Sequence, residues 1–107
     1  MKLVLAIVST DDTNSVIKAL AKERFQTTKL ATTGGFLSKG NSTLITGCED
    51  EDVQKVIDII GTQSKKRTEL VPGTGPFDAN ELIAAPIEVT VGGATVFVLN
   101  VDQFYKI

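Results

Sequence analysis

The chain has 107 residues, 42% of them apolar, with a formal net charge of −2, one cysteine and no histidine. That length suits one domain able to bury roughly two-thirds of its unfolded surface, and the small net charge argues against general attraction to nucleic acid or an anionic membrane, so any anion site has to be local. Lack of histidine excludes serine–histidine and cysteine–histidine nucleophile pairs and histidine-based zinc sites, while a lone cysteine excludes an internal disulfide and fits a reducing cytoplasm.

Leu3-Val4-Leu5-Ala6-Ile7-Val8 is a continuous apolar run and reads as a strand buried on both faces. Ser9 to Asp12 is a polar turn with N-cap candidates in Thr10, Asp11 and Asp12, and Ile17, Leu20 and Ala21 then recur at helical spacing, predicting an amphipathic helix over about Thr13 to Glu23. A second strand is expected from about Phe25 to Thr32, a glycine loop follows, and Thr43 to Gly47 reads as a third strand. Glu49-Asp50-Glu51-Asp52 sets acids at the positive end of a second helix, whose buried stripe is Val53, Val56, Ile57 and Ile60. Gly61 to Pro86 shows little periodicity and reads as a long irregular connection. The chain closes with Ile87–Val91, a Gly92-Gly93 turn and Ala94–Leu99, which together read as a β-hairpin. No stretch has the length or character of a membrane span or a signal peptide.

Two tandem β-α units with a loop between strands two and three predict an α+β, ferredoxin-like β-α-β-β-α-β sheet with both helices on one face. The uncovered face is apolar, because the first strand is apolar on both sides and the last sets Val96 and Val98 on one side and Thr95, Phe97 and Leu99 on the other. Such a face has to pack on other copies of the chain, so a homo-oligomer with ligand sites at subunit boundaries is expected.

The chemistry concentrates in Lys29 to Thr43. From Arg24 to Cys48 there is no acidic residue, while Arg24, Lys29 and Lys39 are cationic. Glycine N–H groups, hydroxyls and lysine without a carboxylate can hold phosphate, and Phe36 and Leu37 beside them can pack on a base, which points to a nucleotide. Gly35 to Ser42 nearly matches the phosphate-binding P-loop, but Asn41 stands where the lysine belongs and a strand follows, so an NTPase is rejected. Cys48 reads as a small buried residue whose thiol Glu49 pushes up; Lys65-Lys66-Arg67 reads as a solvated helix end; the acids Glu49 to Asp52 read as helix capping, not a metal site.

At Lys29-Leu30-Ala31-Thr32-Thr33-Gly34-Gly35-Phe36-Leu37, Gly40-Asn41-Ser42-Thr43 and Val91-Gly92-Gly93-Ala94-Thr95-Val96-Phe97-Val98 the chain closely resembles the PII-like cyclic-di-AMP receptor proteins of Gram-positive bacteria. The resemblance implies a single domain over 1–107 and a homotrimer, with a T-loop at about 33–42 and a B-loop at about 62–86. It implies a cytoplasmic signal-transduction protein that binds cyclic-di-AMP at each subunit boundary, answers by loop rearrangement, passes the signal to an unidentified downstream protein, and has no catalytic activity, metal or cofactor. Thr28, Gly35, Phe36, Leu37, Asn41 and Gly47 would line the site, with Phe97 contributed from the sheet.

Three departures stand beside it. The family's Asn-Phe-Arg is replaced by Arg24-Phe25-Gln26, which puts a cation two residues earlier; on a strand, i and i+2 share a face, so Arg24 and Gln26 are both candidate ligand residues. Lys106 replaces a glutamine, and Phe77-Asp78-Ala79-Asn80-Glu81 lacks the family's Gly-Gly-Asn-Ala-Asp. The competing reading is a PII-like regulatory module with altered or lost nucleotide binding that acts through protein contacts.

Overall fold

The computed structural model describes residues 1–30, 40–71 and 86–107. In chain order these form β1 (Lys2–Ser9), a 3₁₀ turn (Thr10–Asp12), α1 (Thr13–Lys22), β2 (Thr27–Leu30), β3 (Asn41–Cys48), a second 3₁₀ turn (Asp50–Asp52), α2 (Val53–Gln63), β4 (Arg67–Val71), β5 (Ile87–Val91) and β6 (Ala94–Asn100). Among the described residues, no helix is long and apolar enough to cross a membrane.

β1 is the centre of a four-stranded antiparallel sheet of order β2-β3-β1-β6. Two helices and this antiparallel sheet are consistent with the ferredoxin-like fold expected from the sequence. The alternation of β1 settles which side is which. Val4, Ala6 and Val8 are fully buried, as are Leu44 and Thr46 of β3, against Val16 and Leu20 of α1 and Val56 and Ile60 of α2. Leu3, Leu5 and Ile7 point the other way and are only half-buried. Burying a side chain such as Leu20 stabilises the fold by about 1.5–3 kcal/mol, and both helices gain this on the same sheet face.

α1 is rotated from its expected setting. Val16 and Leu20 form its buried centre, Ile17 is partly buried and Ala21 is exposed. The apolar alanine adds too little area to pull the stripe toward itself. α2 keeps Val56 and Ile60 at its centre and Val53 packed partly against the core, but Ile59 and not the expected Ile57 completes the stripe, and the helix begins at Val53. The acids before it form a 3₁₀ turn in which neither Glu49 nor Asp52 makes a side-chain cap bond. Asp50 pairs instead with the Met1 amine at 3.0 Å, which holds its carboxyl below the ordinary range. Charge near the helix dipole is retained without the capping hydrogen bonds.

The largest correction concerns the C-terminal half. Ile87–Val91 and Ala94–Asn100 are not a hairpin: β5 pairs antiparallel with β4 in a separate two-stranded ribbon, while β6 pairs antiparallel with β1. The expected irregular connection thus contains a strand, Arg67–Val71; residues 72–85 lie outside the described residues. Gly92 and Gly93 both adopt positive φ, +87° and +86°, as a tight turn requires, but here they pass the chain from one sheet to another. The Gly93 N–H donates to the Ser64 carbonyl, and the buried Ser64 hydroxyl donates to that of Ile60, so the ribbon's exit is fixed to the end of α2.

A Cβ on Gly92 would run into the Lys65 carbonyl and the Arg67 guanidinium, whereas one on Gly93 would meet only the flexible Lys66 side chain. Gly92→Ala is therefore expected to cost at least about 2 kcal/mol in urea denaturation, and Gly93→Ala about 1 kcal/mol. Equal costs would mean that the Lys65–Arg67 contact adds nothing to the backbone strain.

Candidate functional site

The sheet face opposite the helices carries a row that crosses all four strands: Thr28 of β2 faces Ile45 of β3, Ile45 faces Leu5 of β1, and Leu5 faces Phe97 of β6. Phe97 and Leu99 are 53% and 45% exposed there. The next row is Gly47, Leu3 and Leu99. Gly47 is exposed, and a Cβ built on it would find nothing within 4 Å. Among the described residues nothing explains a glycine inside a strand, which costs about 0.5–1 kcal/mol; close approach of another molecule would.

At the β2 edge a cleft of about 590 Å³ is lined by Ile17, Ala21, Arg24, Phe25, Gln26, Thr27 and Thr28. It lies in the size range of small-molecule sites. Its walls follow from how α1 ends. The Arg24 N–H donates to the Ala21 carbonyl and the Phe25 N–H to that of Leu20, both at 2.9 Å, and Arg24 itself has φ +70°. This is a Schellman cap with arginine in the left-handed position usually held by glycine, and with Phe25 packed onto the core. The cap turns the chain sharply into β2, where Thr27 shares a hydroxyl hydrogen bond of 2.9 Å with buried Thr46 and Thr28 faces the open side.

The structure therefore brings Arg24, Gln26 and Thr28 together, but by a different route from the expected one. Arg24 and Gln26 precede β2, so the strand rule that residues i and i+2 share a face does not relate them. The β2–β3 register continued by one step sets Gln26 opposite Gly47, which adds a fourth residue to this corner. Asn41 stands at the far end of β3, roughly 20 Å from Gly47 at ~3.3 Å per residue. Phe97 stands across three strand spacings from Thr28, roughly 14 Å away. Gly35, Phe36 and Leu37 lie outside the described residues, as does most of the T-loop span. β3 does begin at Asn41, so a strand and not a helix follows the glycine loop, against a P-loop.

Elsewhere the chemistry is sparse. A groove of about 570 Å³ between α1 and α2 is lined by Lys18, Lys22 and Lys55 together with Glu23 and Asp58. Lys55 and Glu23 pair across it at 2.9 Å, which holds the Glu23 carboxyl below its ordinary range. This is the mixed charge of solvated helix faces. Among the described residues no cluster of acids and cysteine could hold a metal. Arg67 is not part of a solvated basic run: it opens β4 and makes a forked pair with Asp12, Nη2 to Oδ1 at 2.9 Å and Nη1 to Oδ2 at 3.2 Å. Sequence reading missed this link because the partners lie 55 positions apart and each has an ordinary local explanation.

The family model described as cyclic-di-AMP receptor matches residues 1–107, the whole chain. Among solved structures the chain is similar to a functionally unknown protein from Pediococcus pentosaceus, with 43% sequence identity and a TM-score of 0.74 over 99% of this chain and 96% of that one.

Two outcomes follow from the local geometry. Replacing Arg24 by glycine removes the cost of a side chain in the left-handed region, so Arg24→Gly is expected to raise unfolding free energy by about 0.5–1 kcal/mol; a lower thermal midpoint would show that the arginine side chain stabilises the free chain. Cys48 is buried, and desolvation with Asp52, Glu49 and Asp50 nearby pushes its thiol up. A raised thiol pKa leaves less thiolate at pH 8, so alkylation of the folded chain should run at least ~10-fold slower than of the urea-unfolded chain. Equal rates would place the thiol in solvent.

Proposed function

The chain belongs to the cyclic-di-AMP receptor family, and from that premise we propose that it binds cyclic-di-AMP at the boundary between copies of itself, as a cytoplasmic homotrimer that signals by rearranging its T- and B-loops. The observation that carries the reading is the division of the candidate residues between two edges of one open sheet face. Arg24, Gln26, Thr28 and Gly47 sit at the β2 corner, and Phe97 sits on β6 at the other edge. One ligand has to span the whole face to meet both in a single copy. Where copies pack face to face, the β2 corner of one meets the β6 edge of the next, and the distance closes. That packing also removes Leu3, Leu5, Ile7, Phe97 and Leu99 from water.

The roles follow from side-chain chemistry. Arg24 supplies a charge-assisted hydrogen bond to a phosphate. Gln26 and Thr28 offer neutral donors and acceptors to phosphate or an adenine edge. Gly47 leaves room for the ligand's close approach, and Phe97 offers its ring to a base. Phe36, Leu37 and Asn41 complete the site from the glycine loop and its exit. No group in this set activates water, so ligand is held, not turned over.

Calorimetry with cyclic-di-AMP, cyclic-di-GMP and ATP, run beside light scattering, tests the reading. The trimer and preference for cyclic-di-AMP are expected. Arg24→Asn removes the cation yet tolerates the left-handed backbone, and should weaken binding by roughly 10- to 100-fold, as loss of one charged hydrogen bond of about 1.5–3 kcal/mol requires. Gly47→Val should keep the monomer fold while abolishing binding. Wild-type binding that neither variant changes would remove this corner from the site, and a monomer at micromolar concentration would remove the subunit boundary.

A further inference from the structure

The turn between β1 and α1 contacts two segments that sequence keeps far apart. Thr10 holds the Gly40 carbonyl with both its N–H, at 3.1 Å, and its hydroxyl, at 2.8 Å. Gly40 is the residue just before β3. Two positions later Asp12 holds the Arg67 guanidinium through the forked pair. Arg67 is the first residue of β4, and it also donates to the Lys65 carbonyl at 3.2 Å and to Glu69 at 3.4 Å. The turn itself is tightly wound. The Ser9 hydroxyl accepts from the Asp11 N–H, and the Thr13 hydroxyl donates to the Ser9 carbonyl. A displacement at Thr10 therefore has little slack before it reaches Asp12.

We propose that Thr10, Asp12 and Arg67 are positioning residues that couple the entry to β3 at Gly40 to the root of the β4–β5 ribbon. Asp12 is the evidence that the contact is more than helix capping. It occupies the N-cap position of α1 yet makes no side-chain cap hydrogen bond, and its nearly buried carboxylate is turned to Arg67 instead. The cap bond of this turn is made by the Ser9 hydroxyl, so the Asp12 carboxylate is left to the fork with Arg67. The second β-α unit supplies an internal control. Asp52 precedes α2 with almost the same backbone, φ −95° and ψ −6° against −97° and −7°, and likewise makes no cap bond. Among the described residues, however, Asp52 has no ion-pair partner, so the turn geometry alone does not recruit an arginine. Two contacts to different segments, made through one rigid turn, give a continuous path between them, and coupling along such a path is reciprocal. Whatever displaces Gly40 is felt at Arg67, and the reverse, whichever ligand the chain takes.

Hydrogen exchange on the full ligand-free chain tests the coupling, because two amides report on its ends. The Thr10 N–H is bonded to Gly40 and the Gly93 N–H to Ser64. Arg67→Met should speed exchange of the Thr10 amide roughly 10-fold, and Thr10→Val should speed that of Gly93 by a similar factor, while interior β1 amides stay within about twofold of wild type. Arg67→Lys, which keeps the charge but not the fork, should restore only part of the protection. A Thr10 amide unchanged in Arg67→Met overturns the proposal. So does an equal acceleration in β1, which would mean general loss of stability. Should Arg67→Met fail to fold, the Gly93 amide in Thr10→Val decides alone, and no change there overturns the coupling.

Discussion

The architecture depends on one mismatch: a sheet apolar on both faces and only two helices to cover it. β1 shows it within eight residues, with Val4, Ala6 and Val8 under the helices and Leu3, Leu5 and Ile7 on the other side. The helices cannot be divided between the faces, because both follow the same right-handed β-α crossover and return to the same side. Among the described residues nothing covers the other face, and Phe97 and Leu99 stand exposed on it. Among the described residues, exposed Phe97 and the unexplained Gly47 both lie on that face.

The ribbon β4–β5 has the opposite character. A two-stranded sheet is marginal by itself. This one is attached through main-chain contacts at Ser64 and Gly93 and through the Asp12–Arg67 fork, not through the main sheet's ladder. Among the described residues its attachment is polar and rests on few contacts. The main sheet, by contrast, is held by continuous pairing and a shared core. Few polar contacts can exchange at low free-energy cost where a packed core cannot, so the two parts differ in how readily they respond.

Legibility in the sequence follows the range of the forces involved. The apolar run of β1 and the helical period of α2 report burial, which acts at each residue, so the strand and the helix with its Val56 and Ile60 centre are legible, though not the half-exposed face of β1 or the place of Ile59 in the stripe. The Gly92-Gly93 turn read correctly as a place of positive φ and wrongly as a hairpin, because alternation and turn chemistry specify a strand and a corner but not which strand pairs with it. β4 was missed for the same reason: Arg67-Thr68-Glu69-Leu70-Val71 has little alternation to report, since its partner and not its own burial makes it a strand. Arg24 and Gln26 line one cleft, but the geometry that joins them is a helix cap in which arginine stands where glycine is the usual signal. Lys65-Lys66-Arg67 read as solvent-facing because charge runs usually are, and a partner at Asp12 leaves no local mark.

The bond from Gly93 to Ser64 brings the two ends of the 65–92 segment side by side. The main sheet therefore meets that segment at what amounts to a single socket. Entry and exit coincide, so its length is not constrained by any distance the core must bridge, and a longer closed loop carries only a slowly rising entropic cost. Change between those two points leaves the register of β1, β2, β3 and β6 untouched. A lineage can rewrite this segment as an exchangeable cassette while inheriting the rest of the molecule intact.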